Sequence, residues 1–472
     1  MDRELVMNDH PIDDHLRNLL AKYDVPGPRY TSYPTVPAWG ENVGREEYKE
    51  ALKEIPVQDK LSLYFHLPFC ETLCHFCGCM KVITHDHQRS RGYVDTLLKE
   101  FEQVMQILKG RGKKNQVNQV HFGGGTPNFL QPEELADLML AVRKNFELLP
   151  EAEIAIEMHP RTSTKEFCDK LKELHFNRIS LGVQDFDSKV QKMINRFQTL
   201  EQTDAMVDYL RQLGFTSFNF DLVYGLPGQS EQGWKRTLEE VVRLRPGRLA
   251  VYSYAHVPWE KPAQRSFKES DLPSPEMKIR FFEMALRHFQ KNGYRLIGMD
   301  HFALQDDELS QAAHEGTIHR NFMGYSTRKD DHQIGFGISS ISYVGGQYFQ
   351  NSKELKEYEG RVGRGDLATF RGYLLSEDDR IRRDLIQRIM CQARVKLSDF
   401  ETEWSVQFWD YFRQERGRLE PFIEDRLLTI TADQLQITGD GLLFLRNIAM
   451  VFDRYLKQIR ETAKNPVFSR TV

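Results

Sequence analysis

The sequence lacks any apolar run of about 18 residues, so it predicts no transmembrane helix. It also lacks excess positive charge: 64 Lys and Arg residues stand against 68 Asp and Glu residues, which disfavours sequence-independent binding to nucleic acid. Met1–His15 is polar and acidic, without the basic and then apolar layout of a secretory signal, so we expect a cytoplasmic protein. The 472 residues are of ordinary globular composition, sufficient for a large core and one or two smaller domains.

Cysteine is scarce and unevenly distributed. Four of the six cysteines lie within ten residues: Cys70, Cys74, Cys77 and Cys79. A large chain without a secretory signal has little use for a disulfide framework, so this group indicates metal binding or redox chemistry. The other two, Cys168 and Cys391, lie alone in helix-like segments, and we expect them to be small buried apolar residues.

Between about residues 60 and 300, short β-rich segments alternate with amphipathic helical patterns, which predicts a parallel sheet. The predicted strands are Leu61–Phe69, Val117–Phe122, Glu153–Met158, Arg178–Val183, Ser217–Val223, Arg248–Tyr254 and Arg295–Met299. The predicted helices are Tyr93–Leu108, Pro132–Phe146, Lys165–Leu174, Glu201–Leu213, Glu231–Leu244 and Glu276–Asn292. Such an α/β chain, with about six βα units, forms a full or partial barrel whose chemistry lies at the carboxyl ends of the strands.

Polar, glycine and proline residues collect directly after the predicted strands. The segments are Cys70–Cys79, Gly123–Pro127, Glu157–Pro160, Gln184–Phe186, Tyr224–Pro227, Tyr254–His256 and Asp300–Phe302. A barrel with no function at that end would not need this pattern, so we expect the active site there.

The regions on either side of the barrel have different patterns. We predict an arm over the barrel at residues 1–55, because Gly27–Pro34 is a stiff segment, and a barrel with its extension at residues 56–370. Residues 371–472 predict a small, mainly helical domain, although fusion with the barrel into one domain is the alternative. Its predicted elements are helices Asp378–Cys391, Leu397–Gln414 and Gly441–Lys457, and a hairpin of Leu427–Thr431 with Gln434–Thr438.

The spacing of Cys70, Cys74 and Cys77 lets three thiolates converge on one metal cluster. Zinc is the alternative, but it is usually held by two Cys-x2-Cys pairs far apart in sequence, and the second pair is missing. Three thiolates on a [4Fe–4S] cluster leave one iron open to another ligand. Cys79 could be a fourth ligand, or a catalytic or structural thiol, and its one-residue spacing from Cys77 favours a role other than ligand.

The three-cysteine spacing after the first barrel strand is the signature of radical S-adenosylmethionine enzymes, and the string Tyr64–Cys79 closely resembles the oxygen-independent coproporphyrinogen III oxidase family. His159, where Asp is more familiar, and Met80, where Asn is common, depart from the family pattern. The resemblance covers nearly the whole chain and includes Pro28–Thr35, Gly123–Pro127, Gly182–Phe186, Asp221–Pro227, Tyr254–His256, Gly298–Ala303, His319–Phe322 and Arg382–Asp384.

The resemblance implies a [4Fe–4S] cluster whose open iron binds S-adenosylmethionine, and one-electron cleavage to a 5′-deoxyadenosyl radical. That radical would remove a hydrogen atom from a propionate side chain, and loss of CO2 and one electron would leave a vinyl group. Two rounds would convert coproporphyrinogen III to protoporphyrinogen IX for haem biosynthesis without O2. The resemblance also implies a monomer, with an electron donor such as flavodoxin or ferredoxin.

Two alternatives remain within the same family: a haem-modifying radical enzyme and a haem-carrying chaperone. Relatives of the chaperone type lack the cysteine matched by Cys79 and are shorter at the C-terminus. This chain has both features, which favours the oxidase.

The resemblance assigns the cluster ligands to Cys70, Cys74 and Cys77. A first S-adenosylmethionine site is matched by Tyr64, Gly124 and Glu157. A second such site is matched by Phe76, Gly125, Thr126, Gln184, Arg196, Asp221, Ala255 and Ile341. Because the substrate carries four propionates, the pocket needs cations, for which Arg29, Arg265 and Arg320 are the candidates. The predicted catalytic residues are Tyr64, Cys79, Arg29 and Arg320.

Overall fold

The computed structural model describes residues 14–108, 114–328, 331–463 and 467–471, so the first thirteen residues of the predicted arm lie outside the described residues. The helices are α1 (Asp14–Tyr23), α2 (Arg45–Glu54), α3 (Gln88–Leu108), α4 (Pro132–Asn145), α5 (Lys165–Glu173), α6 (Ser188–Met193), α7 (Leu200–Gln212), α8 (Glu231–Leu244), α9 (Pro275–Lys291), α10 (Glu308–Glu315), α11 (Leu355–Gly363), α12 (Glu377–Gln392), α13 (Leu397–Trp404), α14 (Phe408–Tyr411), α15 (Arg413–Glu424), α16 (Leu445–Met450) and α17 (Leu456–Thr462). The strands are β1 (Lys60–Leu67), β2 (Phe69–Cys70), β3 (Val82–Ile83), β4 (Gln116–Gly124), β5 (Glu147–Met158), β6 (Arg178–Gln184), β7 (Phe218–Tyr224), β8 (Arg248–Ser253), β9 (Tyr294–Ile297), β10 (His301–Leu304), β11 (His319–Asn321), β12 (Gly324–Ser326), β13 (His332–Phe336), β14 (Ile341–Val344), β15 (Gln347–Asn351), β16 (Thr369–Leu374), β17 (Arg394–Lys396), β18 (Leu428–Ile430) and β19 (Gln434–Ile437).

Within the described ranges, twelve strands form one sheet in the order β16-β15-β14-β13-β1-β4-β5-β6-β7-β8-β10-β9. Its middle strands, β1, β4, β5, β6, β7 and β8, are parallel and each is followed by a helix. This arrangement confirms the predicted α/β fold with a partial (βα)6 barrel. The sheet is open because β16 and β9 stand at its two ends.

The seventh predicted strand is where the sequence interpretation was wrong. The segment forms β9, which turns at Gly298 (φ +59°) into β10, and β10 runs antiparallel to both β9 and β8. Asp300 and His301 therefore lie beside a hairpin turn rather than beyond a parallel barrel strand. A second omission is β13, which pairs parallel with β1 in the register Leu61↔His332.

Alternation along β1 separates the core from the barrel interior. Leu61, Leu63 and Phe65 are fully buried in the main hydrophobic cluster, and the Phe65 ring stacks on Phe122 at 4.9 Å between centroids. Tyr64 occupies the opposite face, where its ring stacks on His121 at 5.9 Å. The hydrophobic pattern of the strand thus directs its polar side chains into the barrel.

The C-terminal region is mainly helical and has its own hydrophobic cluster, which also contains Tyr30 and Tyr33 of the arm. The predicted hairpin is confirmed, because β18 and β19 pair antiparallel, and β17 adds a third strand. Two predicted helices were too long. Leu397–Gln414 is divided into α13, α14 and the start of α15, with Ser405 at φ +53° ending the first helix. Gly441–Lys457 contains a 3-10 turn, α16 and the start of α17.

No helix in the described part of the chain has the length and apolar character needed to cross a membrane.

Candidate active site

The loop between β2 and β3 carries the four clustered cysteines. The two short strands pair parallel in the register Cys70↔Ile83, which holds the ends of the loop together. The middle of the loop is fastened to the end of α6, where His75 N donates a hydrogen bond to Ile194 O at 2.9 Å. The loop that carries the thiols is therefore anchored at both ends and near its centre.

Each thiol of the loop has a different electrostatic environment. Cys70 Sγ lies 3.3 Å from Thr126 Oγ1, and burial raises the pKa of this thiol to about 11. Arg196 Nη1 lies 3.7 Å from Cys74 Sγ. The Cys79 thiol hydrogen-bonds to Cys77, which lowers the pKa of Cys77 and raises that of Cys79. Cys77 is therefore the thiol of this pair that ionises first.

The cysteine loop opens on a cavity of about 210 Å³ at the carboxyl ends of β4, β5, β6 and β7. Most of the predicted site residues line it: Cys70, Cys74, Phe76, Cys77, Cys79, Gly124, Gly125, Thr126, Glu157, Gln184, Arg196 and Asp221. The cavity thus brings together side chains from strands that are far apart in sequence. Six other predicted residues do not line it: Tyr64, Ala255, Ile341, Arg29, Arg265 and Arg320.

The glycine run at the end of β4 is required by close contacts with other parts of the protein. A Cβ on Gly123 would lie 2.7 Å from Glu157 Oε1, and one on Gly125 would lie 2.6 Å from the Pro68 carbonyl carbon. Gly124 has φ +115°, and a Cβ there would lie 2.7 Å from the His66 ring. The absence of side chains in this run therefore leaves room for Glu157, the His66 ring and the Pro68 main chain.

Glu157 ends β5 and is held from two sides. His121 Nε2 lies 3.1 Å from its Oε1, and Gly124 N donates to its Oε2 at 3.2 Å. Burial alone would raise the pKa of Glu157, but these hydrogen bonds outweigh it and leave the pKa lowered. The neighbouring His159 does not add charge, because burial lowers its pKa to about 2. Glu157 is therefore an ionised carboxylate.

Asp221 of β7 is another carboxylate of the cavity, which Glu71 also lines. Asp221 accepts hydrogen bonds from Ser180 Oγ at 3.1 Å and from Asn219 Nδ2 at 2.9 Å. Burial, and then the charge of Glu157, raise its pKa to about 6. Glu157 and Asp221 therefore differ in proton affinity.

Arg196 reaches the cavity across the end of β6. Its Nη2 donates to Gly182 O at 2.5 Å, and a Cβ on Gly182 would lie 2.7 Å from the same nitrogen. Next to it, Gln184 has φ +66° and lies at a shift in the pairing of β6 with β7. A glycine and an irregular strand end together let the guanidinium pass beside Cys74.

Residues 64–241 match the family model of the Radical SAM superfamily, and residues 375–444 match that of the HemN C-terminal domain. The oxygen-independent coproporphyrinogen III oxidase of Escherichia coli is 42% identical over 454 residues, which is 96% of this chain and 98% of that protein. The protein of the same name from Pseudomonas aeruginosa is 42% identical over 458 residues, with the same two shares. The solved structure of the E. coli coproporphyrinogen III oxidase, described as a radical SAM enzyme, matches with a TM-score of 0.87 at 42% identity, covering 90% of this chain and 97% of that chain. This chain belongs to the oxygen-independent coproporphyrinogen III oxidase family.

In this oxidase-family chain, two of the predicted residues outside the cavity, Tyr64 and Ala255, contact the cysteine loop through a neighbouring side chain. Tyr64 OH lies 3.0 Å from His66 Nδ1, and His66 Nε2 lies 3.0 Å from Met80 O in the cysteine loop. Ala255 O accepts from Gln264 Nε2 at 3.1 Å, and the same nitrogen lies 3.4 Å from Phe76 O. Ile341 packs in a separate aromatic cluster that contains Trp39 and Tyr348.

Two of the three predicted arginines of the oxidase-family site lie together, and the third is exposed. Arg29 Nη1 pairs with Asp300 Oδ2 at 3.0 Å, and Arg320 Nη1 donates to Arg29 O at 2.6 Å. These two arginines therefore lie side by side. Arg265 is exposed, and its Nε donates to Pro258 O at 2.9 Å.

Sequence reasoning missed several residues that shape this site: His66, His121, Gly182 and Gln264. His66 and His121 alternate inward along their strands, which was a usable signal. Gly182 stands directly before the irregular end of β6, within a segment that resembles the family. Gln264 lies in a 3-10 turn of an irregular loop, where no pattern identifies it.

Proposed function

We propose that this protein catalyses the oxygen-independent decarboxylation of two propionate side chains of coproporphyrinogen III to vinyl groups, which gives protoporphyrinogen IX in haem biosynthesis. The observation that carries the proposal is the cavity on which the cysteine loop and the ionised Glu157 both open. The relationship to the coproporphyrinogen III oxidases of E. coli and P. aeruginosa over 96% of this chain identifies the substrate class.

The donor set of the loop fits an iron–sulfur cluster better than a single ion. In the described part of the chain, no three His, Cys, Asp or Glu side chains are grouped to hold one metal ion. Cys70, Cys74 and Cys77 instead border a common cavity, as the corners of a larger [4Fe–4S] group require. Arg196 beside Cys74 would offset the negative charge of thiolates and cluster.

When bound together, the cluster and S-adenosylmethionine would supply a carbon radical that removes a hydrogen atom from the substrate. Glu157 and Gly124 would hold the first S-adenosylmethionine, because an ionised carboxylate accepts hydrogen bonds from ribose hydroxyls or an ammonium group. Tyr64 would position the site indirectly, because its hydroxyl contacts His66, which in turn contacts the Met80 carbonyl of the cysteine loop.

A second S-adenosylmethionine molecule would occupy the rest of the cavity. The residues proposed to bind it are Phe76, Gly125, Thr126, Gln184, Arg196, Asp221, Ala255 and Ile341. Arg196 is the cation of this set and suits a carboxylate through its paired N–H donors. Ile341 lies in a separate aromatic cluster, so its assignment rests on the family resemblance.

The substrate would be held by its carboxylates and shielded from water. Arg29 and Arg320 lie side by side and would face propionates, while Cys79, which hydrogen-bonds to Cys77, would be a thiol of the site rather than a cluster ligand. Each propionate loses a hydrogen atom, CO2 and one electron. Enclosure would protect the radical from side reactions.

We further propose that the enzyme is a cytoplasmic monomer that binds neither membrane nor nucleic acid. An electron donor such as flavodoxin or ferredoxin would reduce the cluster. A chain with balanced charge supports this proposal, since it offers little attraction to polyanions.

The test is an anaerobic assay of the reconstituted protein with coproporphyrinogen III, S-adenosylmethionine and a low-potential reductant. We expect two molecules of 5′-deoxyadenosine for each protoporphyrinogen formed, and none of either product when S-adenosylmethionine is omitted. Deoxyadenosine without protoporphyrinogen would assign another substrate, such as haem, to the radical chemistry. Neither product, with an intact cluster, would favour a haem carrier.

A further inference from the structure

A group of cations lies beyond the ends of β7 and β8, outside the cysteine cavity. Arg29 of the arm pairs with Asp300 at 3.0 Å and donates to Ser253 O at 3.3 Å. Lys278 of α9 reaches the same strand ends, with its Nζ 3.5 Å from Tyr254 O. Arg320 and Arg446 complete the group, which we call the cation cluster: Arg29, Lys278, Arg320 and Arg446.

The carboxylates near the cation cluster are already engaged. Asp300 Oδ1 lies 2.7 Å from His301 Nδ1, while its Oδ2 pairs with Arg29. Asp24 forms an ion pair with Arg470 at 2.5 Å. The cluster therefore contains more positive charge than its neighbouring acids neutralise.

All four cations of the cluster donate to main-chain carbonyls. Arg446 donates to Gly27 O, and also to Pro28 O at 3.1 Å, while Arg320 donates to Arg29 O. Arg320 is 4% exposed, and its Nε is buried without a hydrogen-bond partner among the described residues. A buried donor without a partner costs free energy unless a ligand satisfies it.

The surplus charge affects its members. Burial lowers the pKa of Lys278, Asp24 opposes this shift, and the charges of Arg470, Arg29 and Arg446 lower the pKa further. Burial and the charge of Arg29 lower the pKa of Arg446 to about 9. The cations repel each other in a partly buried site, so an anion placed among them would be stabilised.

Gly225, directly after β7, explains how Lys278 reaches this position. Its φ is +83°, and a Cβ there would lie 2.9 Å from Lys278 Cε. The glycine therefore serves both a backbone conformation and the passage of the lysine stem. This accounts for a motif that the cysteine cavity does not use, Tyr224–Pro227.

We propose that the cation cluster binds a propionate carboxylate of the substrate, with Lys278 as the residue that contacts it. This inference rests on the proposed function, because it assumes a substrate with several propionates. Lys278 is partly exposed and carries no ion pair among the described residues, whereas Arg446 is fastened to three carbonyls and Arg29 to Asp300. Lys278 therefore has the donors that are free to bind a carboxylate.

The test compares Lys278→Met, Lys278→Arg and the control Lys291→Met, which removes an exposed lysine from the far end of the same helix. The ligand is coproporphyrin III, the stable oxidised form of the substrate, titrated by fluorescence into full-length protein with its cluster. We expect Lys278→Met to weaken binding by about tenfold, the effect of one lost charge-assisted hydrogen bond. Lys278→Arg should restore most of the affinity, and Lys291→Met should leave it unchanged.

Salt dependence supplies a readout that a packing role would not change. The affinity of Lys278→Met should fall less steeply with ionic strength than that of the wild type, because one attractive charge is gone. Unchanged binding by Lys278→Met, or equal weakening by Lys278→Arg, overturns the inference while wild-type turnover leaves the proposed function standing. A wild-type protein that forms no protoporphyrinogen in the anaerobic assay overturns both.

Discussion

Two carboxylates on the same strand and the same face of β5 have opposite surroundings. Glu153 and Glu157 are four residues apart, so both point into the barrel, and a cavity of about 110 Å³ touches both. Glu153 belongs to a group of charges that we call the lower layer: Glu153, Arg178, Arg248, Asp307 and Glu308. Glu157 and Asp221 form the upper layer, which lies at the cysteine loop.

In the lower layer, the charges neutralise one another. Arg178 Nε pairs with Glu153 Oε2 at 2.5 Å and Arg248 Nε with Asp307 Oδ1 at 2.8 Å, while Glu308 Oε1 lies 2.7 Å from Arg178 Nη2. Burial opposes ionisation of Glu153, but the two arginines prevail and lower its pKa to about 2. This layer crosses the barrel through arginine–carboxylate pairs.

In the upper layer, neither acid pairs with an arginine among the described residues. Glu157 has His121 and a main-chain N–H, and Asp221 has Ser180 and Asn219. Asp221 therefore keeps a raised pKa, which costs stability. The comparison teaches that this barrel uses carboxylates in two ways. Those paired with arginines connect its strands, and those without an arginine partner are available to bind a ligand.

The largest expected effect concerns the three cysteines beside the upper layer. Cys70→Ser, Cys74→Ser or Cys77→Ser should abolish the cluster, because three thiolates are needed to hold it. Iron and sulfide analysis after reconstitution measures the loss. The control Cys391→Ser alters a buried cysteine of α12 and should retain full iron content. A reducible cluster in any of the first three variants contradicts the ligand assignment.

Breaking the lower layer should instead affect stability. Arg248→Met removes a buried guanidinium that pairs with Asp307 and lies 4.0 Å from the buried Glu153, and it should lower the free energy of unfolding by about 3–5 kcal/mol. Chemical denaturation measures this change. Arg243→Met, which removes exposed ion pairs of α8, should change it by less than about 1 kcal/mol. Equal effects of the two variants would show that the pairs of the lower layer do not stabilise the fold.

The pH dependence of stability should have opposite signs for Asp221 and Glu153. Folded Asp221 holds its proton up to about pH 6, whereas its ordinary pKa is 3.8, so its contribution to stability falls as pH rises through this window. Asp221→Asn should therefore raise the free energy of unfolding at pH 7 by about 1–3 kcal/mol, and the gain should vanish below pH 4.

Denaturation at a series of pH values measures the effect of Asp221→Asn. Glu153→Gln is the matched comparison: the lowered pKa of Glu153 stabilises the fold above about pH 4.5, and this contribution is lost as pH falls toward 2. Glu153→Gln should therefore lose stability at pH 7, where Asp221→Asn gains it. A gain from Asp221→Asn that is equal at every pH would contradict the assigned pKa.

A smaller effect is expected on ligand affinity. Glu157→Gln removes the ionised acceptor of the upper layer and should weaken S-adenosylmethionine binding by about tenfold while the cluster remains. Equilibrium dialysis of the reconstituted protein measures the affinity. Glu151→Gln, at an exposed position of β5, should bind as the wild type does. Retained affinity in Glu157→Gln would remove this residue from the proposed site.

The smallest expected effect concerns Cys79. Cys79→Ser should retain the cluster, because the remaining three thiols are the proposed ligands. Its iron and sulfide content should equal that of the wild type. Loss of iron from this variant would show that Cys79 is a ligand and that four thiolates hold the cluster.

Elements with strong local patterns were predictable from the sequence. Helix α8 was predicted with its observed bounds, and β6 to within one residue, because their apolar residues recur at helical and strand spacing. Strand β13 was missed because it begins with two polar residues, and one of them has a partner far away in the chain: His332 Nε2 lies 2.9 Å from Asp59 Oδ2.

The residues of the candidate site also divide into those with a local sequence pattern and those without one. Cys70–Cys79 and Glu157 stand in motifs after strands, so local spacing identified them. Lys278 and Gln264 became recognisable through contacts across loops, with Tyr254 and Phe76 respectively. Their chemistry arises from tertiary structure, which a single sequence does not display.

The pairing of β1 with β13 has a consequence for biosynthesis. Lys60 and Asp331, which are joined by a hydrogen bond of 2.9 Å at this border, are 271 residues apart in the chain. A ribosome needs roughly 15–50 s to add that many residues, and during this time one side of β1 has no partner strand. The cysteine loop that follows β1 is therefore made early and stabilised late, so delivery of iron and sulfide is expected to follow the synthesis of β13.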